Sequence, residues 1–327
     1  ATMTPRVTIF IPTYERAAYL RDAIDSALAQ TMPDFELLIG DNSRTDGTEE
    51  VVRTYDDPRI RYVRHPENLG QQGNWLWLIE NASAPFVASL HDDDVWCPDF
   101  LADLLPVIEA DESVSMVFSD YDLIDGEGSV LTEETAELRE RSHLDRLPAG
   151  RLDIDLAGAL RLIAVWNAPQ PAYCAILRRT AVLDCEFPPE IDPVYDIWLS
   201  YQIARRSESF AYVPGVHTLY RWHGGSSTTV GWAPQEDEIF SRIIVENHGL
   251  GPVIEEIERY WSFIRWGRGV RMMEDRSQCA ESRRTLRAAA PRLDPARKVL
   301  ATAASRSPHM WNGLSALRSR SRQIRSR

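Results

Sequence analysis

Four short apolar runs recur along the first ninety residues, and polar or helix-like segments separate them. The runs are residues 7–11, 35–39, 60–63 and 85–90. Between the first two, residues 15–30 place apolar side chains at the spacing of one helix face. Strands that alternate with helices predict an α/β fold, with a mostly parallel sheet flanked by helices.

Polar side chains follow three of these four runs, at the ends where parallel strands bind ligands. They are Thr13 to Glu15, Asp41, and the segment His91-Asp92-Asp93-Asp94. Two carboxylates about 5 Å apart repel by roughly 3 kcal/mol at an effective dielectric of about 20. Such a cluster is either well solvated or held near a cation, and Mg²⁺ and Mn²⁺ take oxygen ligands. The position of the cluster at a strand end favours the second alternative, in which the carboxylates lie near a cation.

The second half of the chain adds further elements and then becomes helical. We predict strands at 116–120 and 173–177, edge strands at 210–213 and 217–222, and helices at 156–166 and from 195. Residues 126–150 are polar and predict a mobile loop over a site. We expect two domains, a nucleotide-binding and catalytic domain at 1–232 and a helical region with a basic tail at 233–327.

Charge is unevenly distributed along the chain. Residues 281–327 contain 12 basic and 2 acidic side chains, whereas the whole chain carries −13. The net negative charge of the chain before this basic tail argues against nucleic-acid binding. Leu314, Leu317 and Ile324, with arginines between them, predict a short amphipathic helix on an anionic membrane surface, with a solvated tail as the alternative. We also expect a homodimer through the C-terminal helices.

The cysteines and the absence of targeting patterns bear on the compartment. Cys97, Cys174, Cys185 and Cys279 show no metal or redox spacing. We recognise no signal peptide and no apolar run long enough to span a bilayer. We therefore expect a cytoplasmic protein, peripheral at the inner face of the membrane where the tail binds lipid.

Several stretches, in this order, resemble the inverting family 2 glycosyltransferases, which have the GT-A fold. Residues 7–14 resemble the opening strand and its Pro-Thr-Tyr turn, and residues 41–48 resemble an Asp-Asp-Gly-Ser-Thr-Asp-Gly-Thr stretch. The others are Asn68-Leu69-Gly70, the Asp-x-Asp position at 91–94, the acidic helix start at 195–199, and Arg221-Trp222-His223 with Ser226 and Ser227. The resemblance covers roughly residues 5–230.

The resemblance implies a nucleotide-sugar donor and a divalent cation, Mn²⁺ or Mg²⁺. It makes Asp93 the direct metal ligand and His223 a further metal or diphosphate contact, with His91 or Asp92 at the ribose or metal shell. Asp41 would accept a hydrogen bond from the base ring. The remaining donor-site residues that it implies are Pro12, Thr13, Tyr14, Glu15, Asn68, Gly70 and Arg221.

Inversion requires a carboxylate that takes the proton from the acceptor hydroxyl. Asp196, at the start of a predicted helix, is our candidate base, and Asp192 is the alternative. Capping and the helix dipole also favour a carboxylate at position 196. The family often has a Glu-Asp pair where this chain has Pro193 and Val194, and an aspartate where it has His91.

These features predict a metal-dependent inverting glycosyltransferase. It would move a sugar from a UDP-, dTDP- or GDP-sugar to an acceptor hydroxyl, in cell-envelope glycan or secondary-metabolite glycosylation. One alternative is a non-catalytic sugar-nucleotide-binding scaffold, which Val194 favours. Another is a sugar nucleotidyltransferase, which usually needs a Gly-rich, lysine-bearing loop after the first strand; residues 12–16 contain neither residue type.

Overall fold

The strands of the first sheet half lie close to where the apolar runs predict them. The computed structural model describes residues 4–206, 208–223, 233–272 and 279–306. Within these ranges the strands are β1 Val7–Thr13, β2 Phe35–Asp41, β3 Ile60–Arg64, β4 Phe86–Ser89, β5 Val95–Trp96, β6 Val114–Ile124, β7 Gly150–Arg151, β8 Ala175–Arg178 and β9 Ser209–Arg221. They form one sheet in the order β3-β2-β1-β4-β8-β6-β9-β5, and β7 pairs with β9.

Helices cover the sheet and make up most of the C-terminal part that the structure describes. They are α1 Ala17–Leu28, α2 Gly47–Val52, α3 Gly70–Glu80, α4 Phe100–Ala110, α5 Thr132–Ser142, α6 Leu156–Ala164, α7 Arg179–Leu183, α8 Tyr195–Arg205, α9 Ala233–Glu246, α10 Gly251–Met272, α11 Cys279–Ala289 and α12 Pro295–Arg306. Among the residues described, none of these helices has the length and apolar character needed to cross a membrane.

The predicted α/β fold is confirmed, with a mixed sheet. Strands β1 to β4 pair in parallel, as the alternation of strands and helices predicts. Strand β8 then runs antiparallel to both β4 and β6, while β6 and β9 are parallel. The chain divides into two compact units, 1–243 and 244–327. The domain boundary expected after residue 232 falls within the first unit and stays a prediction.

Strand β1 is longer than the apolar run at 7–11 and continues through Pro12 to Thr13. Strand β4 pairs with β1 only as far as Phe10 and Ser89, so beyond Phe10 the strand is bonded to β2 alone. Proline has no N–H to donate and is tolerated where one side of a strand is unpaired. The extension places Thr13 in register with Asp41, at the carboxyl edge of the sheet.

Two predictions of secondary structure are wrong. The edge strands expected at 210–213 and 217–222 form one strand, β9, which has β6 on one side and β7 and β5 on the other. A shift in register beside Asp120 accommodates Pro214 and Gly215, where Gly215 has φ +124°. Residues 126–150 contain helix α5, whose Thr135 hydroxyl accepts a hydrogen bond from the Leu123 amide at 3.0 Å.

Close packing between α3 and β2 fixes the backbone beside the carboxyl edge. Asn74 Nδ2 donates to the Gly40 carbonyl at 2.8 Å, and Asn74 Oδ1 lies 2.9 Å from His65 Nε2. A Cβ atom added at Gly40 would lie 2.5 Å from Asn74 Oδ1 and 3.0 Å from Leu78 Cγ. Glycine at position 40 therefore allows α3 to approach the strand.

We expect Gly40→Ala to lower the free energy of unfolding by about 1–3 kcal/mol, as for other overpacked cores. Gly47→Ala is the matched control, because an added Cβ there lies 3.5 Å from Ala17 Cβ, an ordinary contact. We expect the control to change the free energy by less than about 0.5 kcal/mol. Urea unfolding followed by circular dichroism measures both, and equal values for the two variants would contradict the packing argument.

Candidate active site

A cleft opens beyond the carboxyl ends of β1 and β4. Its walls come from the turn after β1, the loop after β2, the start of α3, the segment after β4, and single residues of α8 and β9. The lining residues are Pro12, Thr13, Tyr14, Arg16, Asn42, Asn68, Gly70, Gln71, Asn74, His91, Asp92, Asp93, Tyr195 and Tyr220. The predicted site residues Pro12, Thr13, Tyr14, Asn68, Gly70, His91, Asp92 and Asp93 are thus brought together.

Six predicted site residues lie outside this lining, as far as the described residues define it: Glu15, Asp41, Asp192, Asp196, Arg221 and His223. Six residues that line the cleft were not among the predicted site residues: Arg16, Asn42, Gln71, Asn74, Tyr195 and Tyr220. A signal was present for two of them. Asn42 directly follows the strand-end aspartate, and Arg16 is a basic residue in the turn after the first strand.

The acidic segment is not a solvated loop. Asp92 and Asp93 are each 5% exposed and Asp94 is fully buried. Asp94 Oδ1 accepts the backbone N–H of Arg221 at 2.8 Å, and its Oδ2 lies 3.3 Å from His91 Nδ1. Asp94 therefore ties the segment to β9, and the other two carboxylates face the cleft.

Two basic side chains from distant parts of the chain approach Asp93. The Arg16 Nη1 atom donates a hydrogen bond to Asp93 Oδ2 and a second, of 3.2 Å, to Asp92 Oδ1. His223 Nε2 lies 3.1 Å from the same Asp93 Oδ2. This oxygen is therefore the point at which the Arg16 guanidinium and the His223 imidazole converge.

Burial and mutual repulsion determine the protonation of the cluster. Burial, together with the charge of Asp93, raises the pKa of Asp92 to about 6, although Arg16 opposes the shift. Burial also raises the pKa of Asp94. Burial lowers the pKa of His91, but its hydrogen bond to Asp94 and the charges of the three aspartates outweigh this and leave the pKa raised.

The residues present fit a divalent cation. His91, Asp93 and Asp94 each offer one ligand atom, and these atoms lie within 4.8 Å of one another. Carboxylate oxygens suit Mg²⁺ and Mn²⁺, and imidazole suits several transition metals. The partly open cleft leaves room for ligands from a bound substrate, which Mg²⁺ commonly uses.

Asp41 organises the loop after β2 from beneath. It is fully buried, its Oδ1 accepts the Ser43 N–H at 2.7 Å, and its Oδ2 accepts the Tyr62 hydroxyl at 2.7 Å. Burial and this bond raise the pKa of Tyr62 well above its ordinary value. The neighbouring Asn42 reaches the cleft and accepts the Leu69 N–H at 3.1 Å.

Glu15 fixes the turn after β1. Its backbone has φ +53°, and its N–H donates to Ser43 Oγ at 2.8 Å. Its carboxylate accepts the Arg44 N–H at 2.7 Å and the Thr45 hydroxyl, and these bonds lower its pKa, the Thr45 bond most. The side chain therefore joins two loops, while Tyr14, which is 48% exposed, lies at the cleft.

The Asn68–Gly70 turn is held by side chains on both sides. Asn68 Oδ1 accepts the Gly70 N–H at 2.8 Å, and Asn42 Nδ2 donates to the Gly70 carbonyl at 3.0 Å. Gly70 has φ +77°, a conformation that favours glycine. Asp192 Oδ1 accepts the Gln72 N–H at 3.1 Å, in the first turn of α3.

The two candidate bases differ in their surroundings. Asp192 is bound to the start of α3 through Gln72. Asp196 lies in the first turn of α8, where its Oδ1 accepts the Ile197 N–H at 2.9 Å. Burial raises the pKa of Asp196, and the charge of His91 acts on it in the opposite sense. Asp196 is therefore close enough to the acidic segment to sense His91.

Arg221 lies behind the acids. It is 3% exposed, and its Nε donates to the Asp93 carbonyl at 2.8 Å. Its Nη2 lies 2.8 Å from Asp22 Oδ2, and its Nη1 is 3.2 Å from the Gly126 carbonyl. These contacts hold the backbone of the acidic segment. Ser226, Ser227 and the tail residues 314–324 lie outside the described residues.

Comparisons with known proteins find glycosyltransferases. The glycosyl transferase family 2 model matches residues 8–158. An uncharacterised glycosyltransferase of Rickettsia felis is 35% identical over 160 residues, which cover 48% of this chain and 25% of that protein. The chain thus spans about a quarter of the length of that relative.

Solved structures share the fold. S. aureus TarS 1–349 in complex with UDP-GlcNAc has a TM-score of 0.64 and 15% identity, over 92% of this chain and 88% of that chain. The mannosyltransferase PcManGT from Pyrobaculum calidifontis, in complex with GDP-Man and Mn²⁺, has a TM-score of 0.58 and 19% identity, over 97% and 80%. The predicted GT-A fold is confirmed. The family model that matches residues 8–158, the related glycosyltransferase and the neighbours of the same fold together support a glycosyltransferase of family 2.

Proposed function

We propose that this protein is an inverting glycosyltransferase that moves a sugar from a nucleotide-diphosphate donor to an acceptor hydroxyl. The observation that carries the proposal is the buried pair Asp92 and Asp93, which faces a polar cleft beside Arg16 and His223. The match of residues 8–158 to the glycosyl transferase family 2 model supports the reaction class. The UDP-GlcNAc and GDP-Man complexes of proteins with the same fold support a nucleotide-sugar donor.

The donor diphosphate would bind next to Asp93. When bound there, a divalent cation supplies charge that stabilises the leaving diphosphate. Asp93 would be its direct ligand, with His223 or His91 completing the protein ligands. Asp94 and Arg221 keep the segment in place through the Asp94–Arg221 backbone bond of 2.8 Å. These two residues would therefore position Asp93 without touching the donor.

The nucleoside would occupy the part of the cleft lined by Thr13, Tyr14 and Asn42. The Thr13 hydroxyl is buried beside Asp92, whose pKa it lowers through a hydrogen bond, and a hydroxyl that donates once keeps two lone pairs for a ligand. Asp41 would accept a hydrogen bond from the base ring. Each of its oxygens already accepts one hydrogen bond, and a carboxylate oxygen can accept two.

Asp196 would act as the general base. It would take the proton from the acceptor hydroxyl while the hydroxyl oxygen attacks the anomeric carbon and the bond to the diphosphate breaks. A pKa raised by burial suits a base that must accept a proton near neutral pH. Asp192 is the alternative; its carboxylate accepts the Gln72 N–H, as the Asp196 carboxylate accepts the Ile197 N–H.

The proposals for the cellular location and for the class of acceptor rest on the sequence. We propose a cytoplasmic enzyme of cell-envelope glycan or secondary-metabolite glycosylation. We further propose peripheral membrane contact through the basic tail, and a homodimer through the C-terminal helices.

A second function, a sugar-nucleotide-binding scaffold without catalysis, is favoured by the surroundings of the two candidate bases. Asp192 is bound to α3, and Asp196 lies outside the cleft lining that the described residues form.

Calorimetric titration with UDP, GDP and dTDP, with and without Mn²⁺, tests the donor site. We expect one nucleotide to bind tightly only with Mn²⁺. Asp93→Asn should weaken that binding at least about 100-fold, since even indirect partners of metal ligands contribute about 10–100-fold. Asp153→Asn, the same change at an exposed aspartate, is the control. Metal-independent binding of equal strength in all three proteins would refute the metal site.

Substitution of Asp196 tests the base. With the donor identified by calorimetry, we expect Asp196→Asn to lower kcat by about 10²–10⁴-fold. Nucleotide affinity should stay unchanged, because Asp196 lies away from the donor diphosphate. Asp192→Asn should retain most of kcat and lower the thermal stability of the fold, since the Gln72 N–H loses a charged acceptor. The reverse pattern would make Asp192 the base, and full kcat in both variants would refute both assignments.

A further inference from the structure

Arg16 lies at the junction between β1 and α1, next to the acidic pair. Its guanidinium contacts Asp93 Oδ2 and, at 3.2 Å, Asp92 Oδ1. Among the described residues that line the cleft it is the one arginine or lysine. It therefore supplies local positive charge to two buried carboxylates that would otherwise repel each other.

Arg16 contacts one of the two oxygens of the carboxylate that a metal would use. The same oxygen, Asp93 Oδ2, also lies 3.1 Å from His223 Nε2, so nitrogen atoms of two side chains already approach it. Metal–oxygen bonds to Mg²⁺ are about 2.0–2.1 Å long and need an open lone pair. A dication and a guanidinium at the same carboxylate oxygen repel strongly. Metal binding at Asp93 Oδ2 thus requires the guanidinium to move.

The backbone at this position is fixed, while the side chain has room. Glu15, the preceding residue, is bound to Ser43, Arg44 and Thr45. The Arg16 carbonyl accepts the N–H groups of Tyr19 and Leu20 at 3.2 and 3.3 Å. The Arg16 side chain is 29% exposed and borders the cleft. Movement of the guanidinium therefore needs only side-chain rotation, toward the space where a diphosphate would lie.

A diphosphate offers the guanidinium a new partner. Arginine presents a planar fork of donors that matches phosphate oxygens. A donor diphosphate in the cleft would thus draw Arg16 away from Asp93 and release the carboxylate oxygen. Metal and diphosphate would then assist each other's binding, because each favours the same position of one side chain.

We propose that Arg16 is a resident counter-cation that competes with the divalent metal for Asp93 and transfers to the donor diphosphate when the donor binds. The inference rests on the proposed metal and donor site. The affinity of the nucleotide-free protein for metal is then low, because the Arg16 guanidinium competes with the metal at Asp93. The inference also makes Arg16 a positioning residue whose loss increases, rather than decreases, the affinity for metal alone.

Electron paramagnetic resonance of free Mn²⁺ measures the affinity of the full chain for metal without nucleotide. We expect Arg16→Gln to bind Mn²⁺ at least about tenfold more tightly than the wild type, since one positive charge near the site is removed. Arg16→Lys should resemble the wild type. Arg21→Gln is the matched control, because Arg21 lies on α1 with its guanidinium 3.3 Å from Thr54 Oγ1, away from the acids.

A misfolded variant loses metal affinity, so a gain cannot arise from structural damage. One outcome would overturn the inference and leave the proposed function standing. In that outcome Arg16→Gln binds Mn²⁺ no more tightly than the wild type, and Asp93→Asn abolishes the binding seen in the wild type. An equal gain in Mn²⁺ affinity in Arg21→Gln would show that the loss of one positive charge anywhere on the protein causes the effect, and this would also overturn the inference. Mn²⁺ binding that is insensitive to Asp93→Asn in every protein would refute the proposed metal site together with the inference.

The coupling between ligands provides a second readout. In the wild type, the nucleotide selected by calorimetry should raise Mn²⁺ affinity. In Arg16→Gln this increase should fall at least about tenfold, because the competing guanidinium is already gone. An undiminished increase in the variant would show that the nucleotide acts on the metal without Arg16, and would contradict the transfer of the guanidinium.

Discussion

Three buried carboxylates at the end of one strand are the constraint on which this structure depends. Burying charges without partners costs several kcal/mol for each ion. Arg16, Arg221, His91 and His223 supply the partners, and two of them come from the end of β9, more than 120 residues away in sequence. The acidic segment therefore forms only where β9 ends beside it.

The sheet brings these partners to the acids. Strand β5 follows Asp94 directly and pairs with β9 through Val95 and Leu219. Strand β9 in turn pairs along β6, so its end is carried to the same edge as β1 and β4. Arg221 uses this position to donate to the Asp93 carbonyl and to bind Asp22. Arg221, which the family resemblance assigns to the donor site, thus holds the backbone of the acidic segment in place.

The polar residues around the cleft divide into two groups. One group faces the cleft and includes Thr13, Tyr14 and Asn42. The other supports it from behind: Glu15 joins two loops, and Asp192 binds the first turn of α3. Asp41 holds the loop after β2 and, in the proposed function, also accepts a hydrogen bond from the base ring. The second group is as specific in its hydrogen bonding as the first. A motif residue here can therefore be essential to the shape of the site without touching a ligand.

Local patterns in the sequence were enough to predict the strands of the parallel half, the helices between them and the acidic segment at a strand end, because residue periodicity and strand-end chemistry are local properties. Three contacts could be seen only in the folded chain: Asp41 with Tyr62, Asp94 with Arg221, and Asp93 with Arg16 and His223. The tertiary structure also decided that β9 is one strand and that residues 132–142 are helical. These outcomes depend on contacts between residues distant in sequence, where hydrogen-bond satisfaction and charge pairing outweigh local preference.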